Sequence, residues 1–127
     1  MMVVLDTSAL LFWLFAPERL SANAAKAIAA ATQVVISSIS IWEIGIKIQR
    51  GKLELPLSPE VLVARLNETR GVRIEPVTEK TWLQNLALTW DHQDPADRTI
   101  VATAVLLNCP LLTSDLEIRA FYPAVVW

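Results

Sequence analysis

The stretch MVVLDTSALLFWLF, residues 2–15, sets a short apolar run, Met2 to Leu5, directly against an acid, Asp6, and then a second apolar segment. Consecutive apolar positions rich in Val, with no alternating polar residues, suit a strand buried on both faces, as in a parallel sheet covered by helices. Asp6 ends the strand, Thr7 or Ser8 is placed to cap a helix reaching about Phe15, and Ala16-Pro17 breaks it. A strand that feeds straight into a helix is half of a strand-helix-strand unit.

The same alternation continues along the chain. An Ala-rich helix is expected over Ser21 to Ala31 and a strand over Gln33 to Ile36. Ser40 opens a helix to about Arg50, with Gly51 where a left-handed turn is cheap. Further helices fit Ser58 to Thr69 and Thr78 to about Leu88, with a strand over Val72 to Glu75 between them. After a polar loop, Pro95 takes the first position of a helix to about Leu107. Leu111 to Thr113 reads as a strand stopped at Ser114-Asp115, and Ala124 to Val126 as an edge strand. The expected fold is α/β, a three-layer arrangement with a parallel sheet between helices. With 127 residues and no linker, repeat or low-complexity segment, one domain over residues 1–127 is expected.

Composition narrows the function classes. The net charge of -2 provides no global positive field for nucleic acid or anionic membrane, which leaves only a local basic patch. Hydrophobic content of 54% and five Trp exceed what a chain of this size ordinarily carries, and hint at a covered partner surface as well as a dense core. The single Cys109 lies in an apolar stretch and has no internal partner, which fits a buried, inert thiol in a reducing cytoplasm. The segment ALLFWLFA, residues 9–16, imitates the core of a secretory signal, but Asp6 stands where a basic leader is needed, so an unprocessed soluble chain is expected. No apolar run reaches the ~18 residues of a membrane span.

Four acids, Asp6, Glu43, Asp97 and Asp115, follow or open apolar elements. In an open parallel sheet, functional groups collect beyond the carboxyl ends of the strands, and all four fit that edge. Gathered carboxylates raise one another's pKa, and a divalent cation keeps them ionised, so the pattern points to a metal site. Capping is the competing explanation. Ser40-Ile41-Trp42-Glu43 has the form of a capping box, and Asp94-Pro95-Ala96-Asp97 has Asp94 as N-cap with Asp97 in the first turn. Asp94 therefore leans toward structure and Asp97 toward ligation. Thr7, Ser8, Thr113 and Ser114 flank the strand-end acids and suit either a hydrated Mg²⁺ shell or turn chemistry.

Glu43, Lys47 and Arg50 share one helical face, with Lys52 just beyond, so a phosphate-guiding handle and a plain Glu-Lys pair are both open. Arg98 and Arg119 are alternative basic contacts. His92, the only His, is expected to order its loop through a hydrogen bond in preference to acid-base work.

The segments VVLDTSALL, SISIWEIGIKIQRGKL, HQDPADRTIVATA and LLTSD, in this order and covering most of the chain, resemble the PIN-domain family and within it the VapC-type toxins of toxin-antitoxin pairs. Ala96 departs from the pattern, since many relatives carry an aromatic there. The resemblance implies a five-stranded, mainly parallel sheet flanked by helices and a Mg²⁺- or Mn²⁺-dependent endoribonuclease. It carries the acidic site to Asp6, Glu43, Asp97 and Asp115, with Asp94 in support. It also implies RNA as substrate, a cognate antitoxin and a homodimer. Rival folds lack their residues: a haloacid-dehalogenase-like phosphatase needs a second Asp where Ser8 stands, and a phosphoreceiver needs a paired acid and a late Lys. A catalytically silent interaction module, with the acids as caps, is the remaining alternative.

Overall fold

The computed structural model describes residues 1–127. Strand β1 (Met2–Leu5) runs into helix α1 (Thr7–Phe15), and a short 3-10 turn (Pro17–Arg19) leads to α2 (Ala22–Ala30). Then come β2 (Gln33–Ser37), α3 (Ser38–Gln49), α4 (Pro59–Glu68), β3 (Val72–Glu75), α5 (Glu79–Ala87), α6 (Pro95–Leu107), β4 (Leu111–Leu112), α7 (Leu116–Phe121) and β5 (Val125–Val126). The five strands form one sheet in the order β3-β2-β1-β4-β5, with every pairing parallel.

The period of two along each central strand divides the core. Val3, Leu5, Val34, Ile36 and Leu112 join a cluster with Leu10, Ile44, Leu62 and Leu66 on one side of the sheet. Val4, Val35 and Leu111 face the other way, against Ile100, Val101, Ala104 and Ile118. A continuous apolar run is thus required at β1, because both of its faces are covered. Leu5 is fully buried, and its removal from water stabilises the fold by roughly 2 kcal/mol.

Helix starts differ from the sequence expectation in three places. Asp6, not Thr7 or Ser8, caps α1. Ser37 caps α3, so Ser40 lies inside the helix, fully buried. The capping box that competed with a ligand role for Glu43 is therefore absent. Helix α7 has no counterpart in the sequence expectation, since six residues are too few to display a helical period. Gly51 follows α3 at φ 67, in the left-handed conformation expected of it.

Candidate metal centre

Register brings the first acid to its partners. Leu5 of β1 pairs with Leu112 of β4, and the Asp6 N–H donates to the Leu112 carbonyl at 3.1 Å, so the residues leaving the two strands lie side by side. Asp6 Oδ1 accepts from the Ala9 N–H at 2.8 Å, and the Thr113 hydroxyl donates to Asp6 Oδ2. Asp115 caps α7 through Oδ1, which accepts from the N–H groups of Glu117 and Ile118 at 2.8 and 3.3 Å. Asp94 caps α6 through Oδ1, accepting from the Asp97 N–H at 2.9 Å. Capping and clustering thus coexist. The cap acids bring three helix N-termini, with their partial positive charge, to one edge of the sheet.

One cavity of about 260 Å³ collects Asp6, Thr7, Ser8, Glu43, Lys47, Asp94, Asp97, Ser114 and Asp115, with no hydrophobic side chain in its wall. All four candidate acids and the supporting residues Asp94, Thr7, Ser8 and Ser114 meet there. Thr113 lies just behind, buried, accepting from the Asp115 N–H at 3.0 Å. Glu43, freed of a capping task, reaches Lys47 at 3.8 Å. Buried Ser40 also has a positional role: the Thr7 hydroxyl donates to Ser40 Oγ at 2.9 Å and ties α1 to α3 below the cavity.

Burial dominates the electrostatics at Asp6 and Asp97. Burial pushes the Asp6 carboxyl up to about 6; the bonds from Thr113 and Ala9 act against this, while Asp97 and Asp115 add to it. Burial also raises Asp97, opposed by its bond to His92 and reinforced by Asp94 and Asp115. The donor set is all hard oxygen, as Mg²⁺ and Mn²⁺ prefer. No group of three acidic, His or Cys side chains is arranged to hold an ion by direct ligation alone. An ion bound by one or two carboxylates, with waters carried by the other oxygens, fits this lining and is the usual state of Mg²⁺.

His92 does more than order its loop. Its Nε2 lies 2.8 Å from Asp97 Oδ2 and its Nδ1 meets Glu117 Oε2, so one imidazole spans two carboxylates. The Asp97 bond is the main cause that raises His92 above its ordinary pKa, with burial opposing and Glu117, Asp97 and Asp94 adding. Trp90 packs on the imidazole at 4.7 Å and stacks on Phe121 at 4.6 Å. Glu117 was missed because its helix was missed.

Arg98, contrary to the sequence expectation, is not free to contact RNA. As a candidate RNA contact it would need free N–H groups, yet all of them are engaged: Nε with Asn85 Oδ1, Nη1 with the Trp90 and His92 carbonyls, Nη2 with the Asn85 and Leu88 carbonyls. It tethers the loop that carries His92. Lys47, Arg50 and Lys52 instead line a second cavity, next to the first. Arg119 is exposed and lines neither. Cys109 is buried and its thiol is raised by burial, as an inert core residue should be.

Comparison with known proteins identifies the family and the fold. A model of the PIN domain matches residues 3–122. The ribonuclease VapC22 of Mycobacterium tuberculosis (strain ATCC 25618 / H37Rv) is 30% identical over 129 residues, covering 98% of both chains. Among solved structures, a toxin-antitoxin complex from Klebsiella pneumoniae aligns at TM-score 0.66 and 21% identity, over 98% of this chain and 96% of that one. The sarcin-ricin-loop-cleaving toxin VapC20 of Mycobacterium tuberculosis aligns at TM-score 0.65 and 19% identity, over 93% of each; both share the fold. The chain belongs to the PIN-domain family, among its VapC-type toxin ribonucleases.

Proposed function

We propose that this chain hydrolyses RNA phosphodiester bonds at the acidic cavity, where Mg²⁺ or Mn²⁺ would be held directly by one or two of Asp6, Asp97, Asp115 and Glu43 and through water by the others. The observation that carries this reading is the convergence of these acids, with Asp94, in one cavity walled only by polar residues. A bound divalent cation supplies Lewis acidity there, lowering the pKa of a water and offsetting charge on the phosphoryl oxygens.

The chain's own groups do the rest. Ala9 and Thr113 fix the Asp6 carboxylate from two sides. The Thr7-Ser40 bond sets the distance between α1 and α3, hence between Asp6 and Glu43. His92 orients Asp97 through Oδ2, leaving Oδ1 without a hydrogen bond inside the chain. Asp97, with Oδ1 unengaged inside the chain, accepts the proton of the attacking water. Lys47 meets the phosphate that enters beside Glu43, and Asp94 and Asp115 keep the helix starts in place while adding negative charge.

The toxin's partners follow from the same reading: RNA as substrate, an antitoxin protein that covers the cavity, and a second copy of this chain in a homodimer. Exposed Leu83, Leu86 and Leu116 supply apolar surface for protein contacts. No helix is long and apolar enough to cross a membrane, and one unpaired Cys suits the reducing cytoplasm, where this toxin is proposed to act. The test is the chemistry of the cut ends. Purified protein with total RNA and Mg²⁺ is expected to yield fragments without 2′,3′-cyclic phosphate, because water is the nucleophile; cyclic ends, or cutting that persists in excess EDTA, overturn the proposal.

A further inference from the structure

The acidic cavity receives a phosphate but offers no flat apolar face on which a base can rest, since no hydrophobic residue lines it. The adjoining cavity, about 250 Å³, shares Glu43, Lys47 and Asp94 with the first and adds Trp42, Ile46, Arg50, Lys52, Pro95 and Ala96. Trp42 is 58% exposed although it belongs to a helix that packs against the sheet. It immediately precedes Glu43, and Ile46 follows it by four residues on the same face. An exposed indole beside three cations complements a polyanion with aromatic faces better than it does a purely apolar surface.

We propose that Trp42 is a stacking platform for the nucleobase next to the scissile phosphate, with Lys47, Arg50 and Lys52 holding the flanking phosphates. This rests on RNA being the substrate of the acidic centre. A base laid on the indole fixes how far the strand slides before a phosphate meets Asp6 and Asp97. Stacking tolerates any base, because each has a π-face, so Trp42 sets register and strandedness, favouring unpaired nucleotides over a duplex.

Binding separates this role from the chemistry. In the Asp6→Asn background with Mg²⁺, a labelled oligouridylate of about twelve nucleotides and an abasic oligomer of the same length are titrated by fluorescence anisotropy. The parent is expected to prefer the base-bearing oligomer by about tenfold. Trp42→Ala is expected to abolish that preference, and Trp42→Phe to retain most of it. Lys47→Ala or Arg50→Ala should weaken both oligomers alike and reduce the salt slope by about 0.7 per charge removed. A Trp42→Ala protein that keeps the parent's preference overturns the inference while leaving RNA as the substrate. If neither oligomer binds and the wild-type chain leaves RNA intact, the substrate reading itself has failed.

Discussion

Replacing Asp6 by Asn is expected to strengthen the metal-free fold while abolishing the activity. Asp6 is only 5% exposed, and its carboxyl is raised from 3.8 to about 6 by burial. At about 1.4 kcal/mol per pH unit, ionising it inside the folded chain costs about 3 kcal/mol. Because the folded pKa lies above the unfolded one, that cost is absent below pH ~4, grows as pH rises, and is complete above ~6. Asn retains an acceptor for the Ala9 N–H and carries no charge, but presents an amide to the Thr113 hydroxyl in place of an acceptor. A bond lost there returns about 1 kcal/mol, so the net gain at pH 7.5 is about 2 kcal/mol. Urea unfolding in EDTA at pH 7.5 and at pH 4 measures it: the variant should be the more stable at the higher pH, with the advantage gone at the lower. Added Mg²⁺ should stabilise wild type and leave the variant unmoved. A variant less stable than wild type at pH 7.5 in EDTA refutes the claim that Asp6 is a strained charge awaiting a cation, and favours a simple cap.

Further perturbations test the supports of the site. His92→Ala removes the bond that orients Asp97; loss of such a partner typically weakens metal affinity or activity by about 10–100-fold, read by Mn²⁺ calorimetry, and an unchanged affinity shows that Asp97 needs no orientation. Arg98→Lys strands carbonyls of Asn85, Leu88, Trp90 and His92 that a single ammonium cannot reach together; destabilisation of roughly 2–4 kcal/mol is expected in urea unfolding. Ser40→Ala removes the acceptor of the buried Thr7 hydroxyl and should cost about 1–3 kcal/mol, with unchanged stability arguing against a tie between α1 and α3. Cleavage in limiting Mg²⁺ should rise with pH toward neutrality as Asp6 and Asp97, both raised, lose their protons; a rate that falls over that range contradicts their ionised role.

The strands β1 and β3 and the helix α6 were legible because their residues carry period, punctuation or a Pro at the first position that leaves one interpretation. The start of α3 was not, since Ser37, Ser38 and Ser40 are all competent caps and only the register of β2 against β1 decides among them. That choice mattered for the site, because it released Glu43 from a cap. Helix α7 is too short to show periodicity, so the link from His92 to Glu117 was invisible. Arg98 looked like a substrate contact because sequence records its charge and not the carbonyls folded around it. The convergence of the acids at one edge was legible, since a parallel sheet sends the residues that leave its strands to one side, although Asp6 and Asp115 also serve there as helix caps.

These acids are proposed to form one metal-dependent centre for cutting RNA. Its most direct test is cleavage of a total RNA pool by the purified chain and its Asp6→Asn variant, each with Mg²⁺. Wild type should fragment the RNA while Asp6→Asn, folded and at least as stable, leaves it whole. Equal cleavage by the two proteins would show that Asp6 holds no metal needed for the reaction.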